Sequence, residues 1–309
     1  MLFSSKLLAL FALVSTACAL PTSIPVLDSI PVNAVNIAKD PELDVVIAYD
    51  ADGNVLGQLP ASVGMRKRDA GSCVNMSSDD VQKLPGWEKI AQYARENWGD
   101  NWDSANANPD QYPDRGAILC VAGDVTPVTL DGEPSCKTQS QSTGGTIVGA
   151  DGTVSLSANQ GTSQTTQVTV TQGSSLAVGA SVSAKVGIPE VAEITASMSS
   201  TVTFTNDLST SNSFTSSNQQ TQTVSLQNQA GKSCSLTFDV QTCDLTGTGN
   251  VRMLGSGWMW FFYGSRKNGH YHWAASIDSI LSEDERQTSI GFRTSTSTNT
   301  ASKYNAVCE

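Results

Sequence analysis

The sequence predicts a mainly β fold, and three observations predict it. Between Leu176 and Phe204 apolar and small polar residues alternate twice over. From Ser174 to Asn228 the chain is dominated by Ser, Thr, Gln and Asn, yet holds a single Pro. Only one short stretch, Cys73 to Trp98, is convincingly helical.

Taken in chain order, Lys6, the apolar run Leu7–Val14 and Ala17-Cys18-Ala19 read as a secretory signal peptide over 1–19, removed after Ala19. Residues 20–68 read as a pro-segment. Within it Leu43–Tyr49 followed by Asp50-Ala51-Asp52-Gly53 predicts a strand entering a turn, so the segment is expected to be at least partly folded. Arg66-Lys67-Arg68 is a basic cluster in an acidic region, placed for a kexin-type protease to cut after Lys67 and Arg68. The mature chain then begins at Asp69, in a secreted protein.

The helical and loop part spans 69–115. Trp87, Ile90, Ala91, Ala94 and Trp98 approximate one helical face, with Pro85-Gly86 and Gly99 at its ends. A β-rich region follows over 116–309. Its short runs include Ile118–Val121 and Gln167–Thr171, separated by turns such as Ala150-Asp151-Gly152. The even positions from Leu176 to Ile188, and again from Ala192 to Phe204, are mainly apolar; the odd ones are mainly Ser and Thr. Side chains on a strand switch faces at each residue, so residues 176–204 predict a hairpin with one apolar and one hydroxylated face, turning at Gly187-Ile188-Pro189. Each arm, about thirteen residues, exceeds the roughly 9–11 needed to cross a bilayer as a tilted strand. A Ser/Thr-rich composition also suits a disordered or glycosylated stalk, but the alternation persists through Thr221–Leu226. After a turn at Gln229–Lys232, Cys234–Val240 resumes a strand. Gly257–Gly264 is the densest aromatic stretch, expected as a strand buried between layers or as a membrane-landing patch. Gly255-Ser256-Gly257 reads as a turn.

Residues 69–309 hold 13 Lys and Arg against 23 Asp and Glu, so a nucleic-acid partner is not expected. Their six cysteines, Cys73, Cys120, Cys136, Cys234, Cys243 and Cys308, predict three disulfides in an oxidising route. Fifteen connectivities are open, of which proximity favours Cys120 with Cys136, Cys234 with Cys243, and Cys73 with Cys308. Asn75-Met76-Ser77 is a glycosylation sequon at Asn75.

The run Ser181–Pro189, followed by Val191-Ala192-Glu193 and a long Ser/Thr-rich return strand, resembles the stem hairpin of aerolysin-like β-pore-forming toxins. Gly257–Phe261, Gly269–Trp273, Asp284-Glu285-Arg286 and Thr288–Phe292 are similar to the fungal and lectin-linked members. The resemblance covers roughly 112–305. It implies elongated, twisted antiparallel sheets and a secreted protein, of fungal source, that binds an unidentified receptor on a target-cell membrane. There it would assemble as a homo-oligomer and release the hairpin into a transmembrane barrel. Carried onto this sequence, Val182, Ala184, Val186, Ala192, Ile194, Ala196 and Met198 would face lipid; Ser181, Ser183, Lys185, Glu193, Thr195 and Ser197 would face the lumen. Ile188, Pro189 and Val191 would form the tip. A lone hairpin cannot satisfy its backbone in lipid, so closure into a barrel is required. The chain departs from the family in showing no separate lectin module and in placing its obvious cut near the N-terminus.

Enzymatic readings fare poorly, and no cofactor is expected. His270 and His272 sit two apart, but no third metal ligand is spaced to join them. No Gly-x-Ser-x-Gly elbow opens a helix, and Asp79-Asp80 and Glu283-Asp284-Glu285 read as solvated charges. The competing expectation is a non-lytic secreted protein that binds a surface or cell wall and keeps the hairpin as a permanent strand pair.

Overall fold

A computed structural model describes residues 24–40, 44–60, 71–146, 151–189, 198–217, 219–228 and 231–308. The expected signal peptide, Lys67 and Arg68 lie outside this set. The fold is mainly β, with long antiparallel pairings and few helices.

In chain order, β1 (Asn36–Asp40), β2 (Val45–Tyr49) and β3 (Val55–Pro60) form an antiparallel meander in which β2 matches the predicted strand. Next come β4 (Cys73–Asn75), α1 (Ser78–Gln82), α2 (Trp87–Trp98), β5 (Ser104–Asn106), β6 (Ala117–Val121), β7 (Thr126–Pro127) and β8 (Thr129–Leu130). The long strands are β9 (Ser135–Thr146), β10 (Gly152–Gln172), β15 (Ser233–Lys267) and β17 (Gln287–Cys308). Between them lie β11 (Ser181–Ile188), β12 (Met198–Thr205), β13 (Ser211–Ser217) and β14 (Gln220–Asn228), and later β16 (His270–Ser276) and α3 (Ile277–Ile280). The backbone of one 14-stranded sheet runs β13-β10-β17-β15-β16-β1-β2-β3, with the shorter strands and β9 branching mainly from β15. β12, β11 and β7 form a separate small sheet.

Strand β15 organises the molecule. Its 35 residues reach on the order of 110 Å when extended, and its two halves differ. From Ser233 to Asp244 it runs between β9 and β17 among Ser and Thr, and β8 takes the place of β9 at Gly247 and Thr248. Apolar burial there is thin among the described residues: a small cluster of Leu156, Cys234 and Leu236 with a few half-buried neighbours, and Leu245 further along. The interior is completed by hydroxyls: Thr166 and Thr296 are buried and share a 3.0 Å hydrogen bond, and Thr298 donates to the Cys243 carbonyl. The strands persist, rather than a disordered stalk, with several hydroxyls partnered across the ladder.

Beyond Val251 the strand enters a dense core, and Gly255-Ser256-Gly257, read as a turn, continues it. Gly257 has φ +96°, and a Cβ there would lie 2.2 Å from the Gly116 carbonyl oxygen. The glycine serves close backbone approach rather than reversal. The aromatic run is buried between two layers. Phe261 packs with Trp87, Trp98 and Trp102, whereas Trp258 and Trp260 face Tyr112 and the apolar residues Ala34, Ile37, Val46 and Ala48 of the N-terminal segment. Helix α2 forms as its periodicity predicts, burying Ile90, Ala91, Ala94 and Trp98 and closing at Gly99.

All six cysteines form disulfides: Cys73–Cys120, Cys136–Cys243 and Cys234–Cys308. None of the pairings favoured by sequence proximity occurs. Each bond joins residues directly opposed in an antiparallel register. Cys234 and Cys243 share one extended strand, which holds residues nine apart at roughly 30 Å, so they cannot reach each other.

Candidate functional site

The residues expected to form a stem lie in the small sheet. β11 and β12 pair antiparallel with Val182 opposite Phe204, Ala184 opposite Val202 and Lys185 opposite Thr201. The even face is buried: Val182, Ala184, Val186, Ile188, Val202 and Phe204 are each at most 3% exposed. Phe204 packs on Phe292 of β17 at 5.2 Å between ring centres, and Val182 lies beside Leu119, Met253 and Ile290. On the other face Ser181, Lys185, Thr201 and Thr203 are exposed and Ser183 is half-buried. Ser181 shares a hydrogen bond with Thr205, and Ser183 with Thr203.

Two predicted boundaries shift. Gly187-Ile188-Pro189 is not the turn, because Gly187 and Ile188 pair with Ser199 and Met198, and β11 continues through them. A Cβ at Gly187 would meet the Val125 side chain at 2.7 Å, so this glycine admits a neighbour. Leu176 to Ala180 is not strand either, since Ala177 (φ +51°) and Gly179 (φ +76°) bend the chain, leaving Leu176 buried and Val178 exposed. Among the described residues the paired arms are eight residues each. Val191, Ala192, Glu193, Ile194, Thr195, Ala196 and Ser197 lie outside the described residues, as does the side chain of Met198. Pro189 is half-buried just beyond β11.

The hairpin is held at its base by residues that the sequence reading passed over. Asn206, 4% exposed, accepts from the Ser174 amide at 2.7 Å and donates to the carbonyls of Ser174, Leu176 and Ala177. Asp80, read as solvated, is buried. It caps α1 through Ser77 and accepts the Ala177 amide at 3.0 Å. Burial raises the Asp80 pKa, but the hydrogen bonds from Ser77 and Ala177 and the charge of Lys83 outweigh it, and the carboxyl settles below its usual value. An Asn after a Thr-rich strand carries no local signal of such a role, and the Ser-x-x-Asp pattern marks Asp80 as the cap of α1 but not as a partner of Ala177.

Along the outer edge of β11 the ties are few. β7 pairs with it in parallel through Thr126 and Pro127, the Val128 amide donates to the Gly187 carbonyl, and the Ser183 amide donates to the Gly71 carbonyl at 2.6 Å. Gly71 stands two residues beyond the expected new N-terminus.

Certain solved structures are similar to this chain. Parasporin-2, a Bacillus thuringiensis toxin that recognizes cancer cells, is 14% identical with a TM-score of 0.35, over 77% of this chain and 97% of that one. The β-pore-forming protein Mpp75Aa1.1 of Brevibacillus laterosporus is 15% identical at 0.35, over 75% and 88%. A non-toxic crystal protein from Bacillus thuringiensis is 10% identical at 0.39, over 73% and 95%. These similar structures include proteins described as toxic and as non-toxic. No family model and no curated protein matches the sequence.

Elsewhere, His270 Nε2 lies 2.9 Å from the Tyr49 hydroxyl and His272 Nδ1 lies 2.8 Å from that of Tyr112. Among the described residues no group of three or more His, Cys, Asp and Glu is placed to hold a metal, and no helix is long and apolar enough to cross a membrane, which leaves strands untouched. Asn75 is exposed at the end of β4.

Proposed function

We propose that the protein is secreted, is processed at Lys67-Arg68, and acts as a β-pore-forming protein. On this reading it gathers into a homo-oligomer on a target-cell membrane bearing a surface receptor and inserts residues 176–204 into a barrel. Val182, Ala184, Val186, Ala192, Ile194, Ala196 and Met198 then exchange core contacts for lipid. Ser181, Ser183, Lys185, Glu193, Thr195 and Ser197 line the water-filled side, where the two charges are tolerated. Ile188, Pro189 and Val191 lead the insertion.

The observation that carries this reading is the hairpin's separate sheet. Its apolar face is packed on the core, but among the described residues its backbone is paired outward only through short segments. Moving it breaks few backbone hydrogen bonds while preserving its own register. Processing acts on the same edge, because the Gly71 carbonyl bound to Ser183 lies close to the cut.

The test is dye release from vesicles and cells by processed protein, with a lock between directly paired residues, Thr126→Cys with Val186→Cys. The expected outcome is release by each single variant and none by the oxidised pair. Equal release by the locked protein would overturn the reading. The complete burial of Val182, Ala184, Val186, Val202 and Phe204 favours one alternative, a non-lytic surface- or cell-wall-binding protein, which predicts no release from any of these forms.

A further inference from the structure

The N-terminal meander raises a question that hairpin insertion does not answer, namely what the cut at Arg66–Arg68 releases. β1 is not an appendage. It pairs with the edge of β16 over Asn36–Lys39 and Ala275–His272, and the Ser276 amide donates to the Val35 carbonyl. Ile37, Ala38, Val46 and Ala48 are each fully buried. Ile37, Val46 and Ala48, with Ala34, complete a core whose other half is Tyr112, Trp258, Trp260 and Ala274, while Ala38 joins the main core on the opposite face. Polar contacts reinforce the seat: Asn36 Nδ2 donates to the Tyr93 hydroxyl at 2.6 Å, and Arg115 donates to the Pro60 carbonyl at 3.2 Å. Tyr49 packs at 5.1 Å against Trp273. Residues 20–68 contain no cysteine, so everything that holds the segment after a cut is noncovalent.

We propose that the β16 edge, with its Trp258, Trp260 and Tyr112 face, is a strand-docking surface whose ligand is this chain's own residues 24–60. Cleavage converts that segment into a second chain that stays bound. The reason is that the sheet hydrogen bonds and buried contacts described above are made by residues 34–60 with the body of the chain, and a cut beyond Pro60 leaves them in place. Departure of the segment would leave the amides and carbonyls of β16 unpaired beside two exposed indoles, an edge of the kind that pairs with other chains. The bound segment therefore screens this edge after processing as before it.

The proposal takes the processing site from the reading above, but its test does not depend on it. In the full-length chain Arg66-Lys67-Arg68 is replaced by the recognition sequence of a site-specific protease, and the purified protein is cut at about 1 μM, a concentration at which binding in the nanomolar range is nearly complete. The two pieces are expected to co-elute on native size exclusion, to separate only in denaturant, and to keep the Ala274 and Ser276 amides, which face β1, protected from hydrogen exchange. Ile37→Asp places a charge in the shared core and is expected to weaken retention roughly tenfold or more. Its uncut form is compared by tryptophan emission, so that a folding failure is recognised, in which case Ala48→Asp replaces it. Spontaneous departure of the wild-type segment at this concentration, or loss of protection at β16 on cutting alone, would overturn the proposal. Failure of a kexin-type protease to cut the natural sequence would overturn the processing reading and leave the docking surface standing.

Discussion

The two ends of β15 solve the same problem by different chemistry. At the aromatic end Trp258, Met259, Trp260 and Phe261 are buried on both faces under α2 and the N-terminal meander. All six tryptophans of the chain, Trp87, Trp98, Trp102, Trp258, Trp260 and Trp273, belong to this end. At the hydroxyl end apolar burial is thin, and β15 is instead stapled to both neighbours, to β9 through Cys136–Cys243 and to β17 through Cys234–Cys308. Where a strand cannot remove enough apolar surface from water, covalent constraint on the unfolded chain substitutes for it.

The comparison breaks most visibly if the aromatic end is emptied. Trp260 is fully buried, stacks on Tyr112 at 4.1 Å between ring centres and donates to the Arg115 carbonyl at 2.7 Å. Trp260→Ala is expected to cost about 3–5 kcal/mol, read as a lowered denaturant midpoint by fluorescence. Removing a staple comes next. Cys136→Ser with Cys243→Ser is expected to cost about 2–4 kcal/mol, and proteolysis should then appear in β9 and β10 while tryptophan emission is unchanged. If emission shifts as well, the two ends are one cooperative unit and the contrast is only compositional.

At the hairpin base Asn206→Ala leaves the Ser174, Leu176 and Ala177 carbonyls without their shared donor. It is expected to cost about 1–3 kcal/mol and to speed hydrogen exchange in β11 and β12 before β15 responds. A pH dependence follows at the meander. Lys39 lies directly opposite His272 in the register, with Asp44 paired to Lys39 and with Tyr112 and Phe262 against the imidazole. Burial, and then Lys39, hold the His272 pKa below 6.5. A histidine depressed in the docked state takes up a proton on release. Attachment is therefore at full strength above about pH 6.5 and weakens below it, by at most about tenfold per pH unit. Retention in the cut chain should fall between about pH 7.5 and about pH 5.5, and Lys39→Met should flatten that fall. The smallest effect is expected at Thr296→Val, which removes one hydrogen bond to Thr166 at a cost of about 1 kcal/mol.

The parts of the fold that were legible are those written in a period. Even positions 182, 184, 186, 202 and 204 fall on one buried face because alternation encodes a strand whatever its partner. Trp87 to Trp98 is helical for the same reason at a different repeat. What failed depends on partners distant in sequence. Gly187 resembles a turn residue until Val125 is seen beside it, and Cys234 and Cys243 resemble a pair until both are placed on one strand. The clamp of Asn206 on the 174–177 carbonyls, and the meeting of Asp80 with the Ala177 amide 97 residues away, are products of topology. Local pattern holds no trace of either.

The covalent map has a further consequence. The three sulfur bridges tie β4 to β6, β9 to β15 and β15 to β17, while neither Ser181–Thr205 nor residues 24–60 contain a cysteine. The disulfides thus tie one frame together and leave the hairpin strands and residues 24–60 without a covalent bridge of their own. The hairpin belongs to the long loop closed by Cys136 and Cys243, so both of its feet stay planted however far its middle swings.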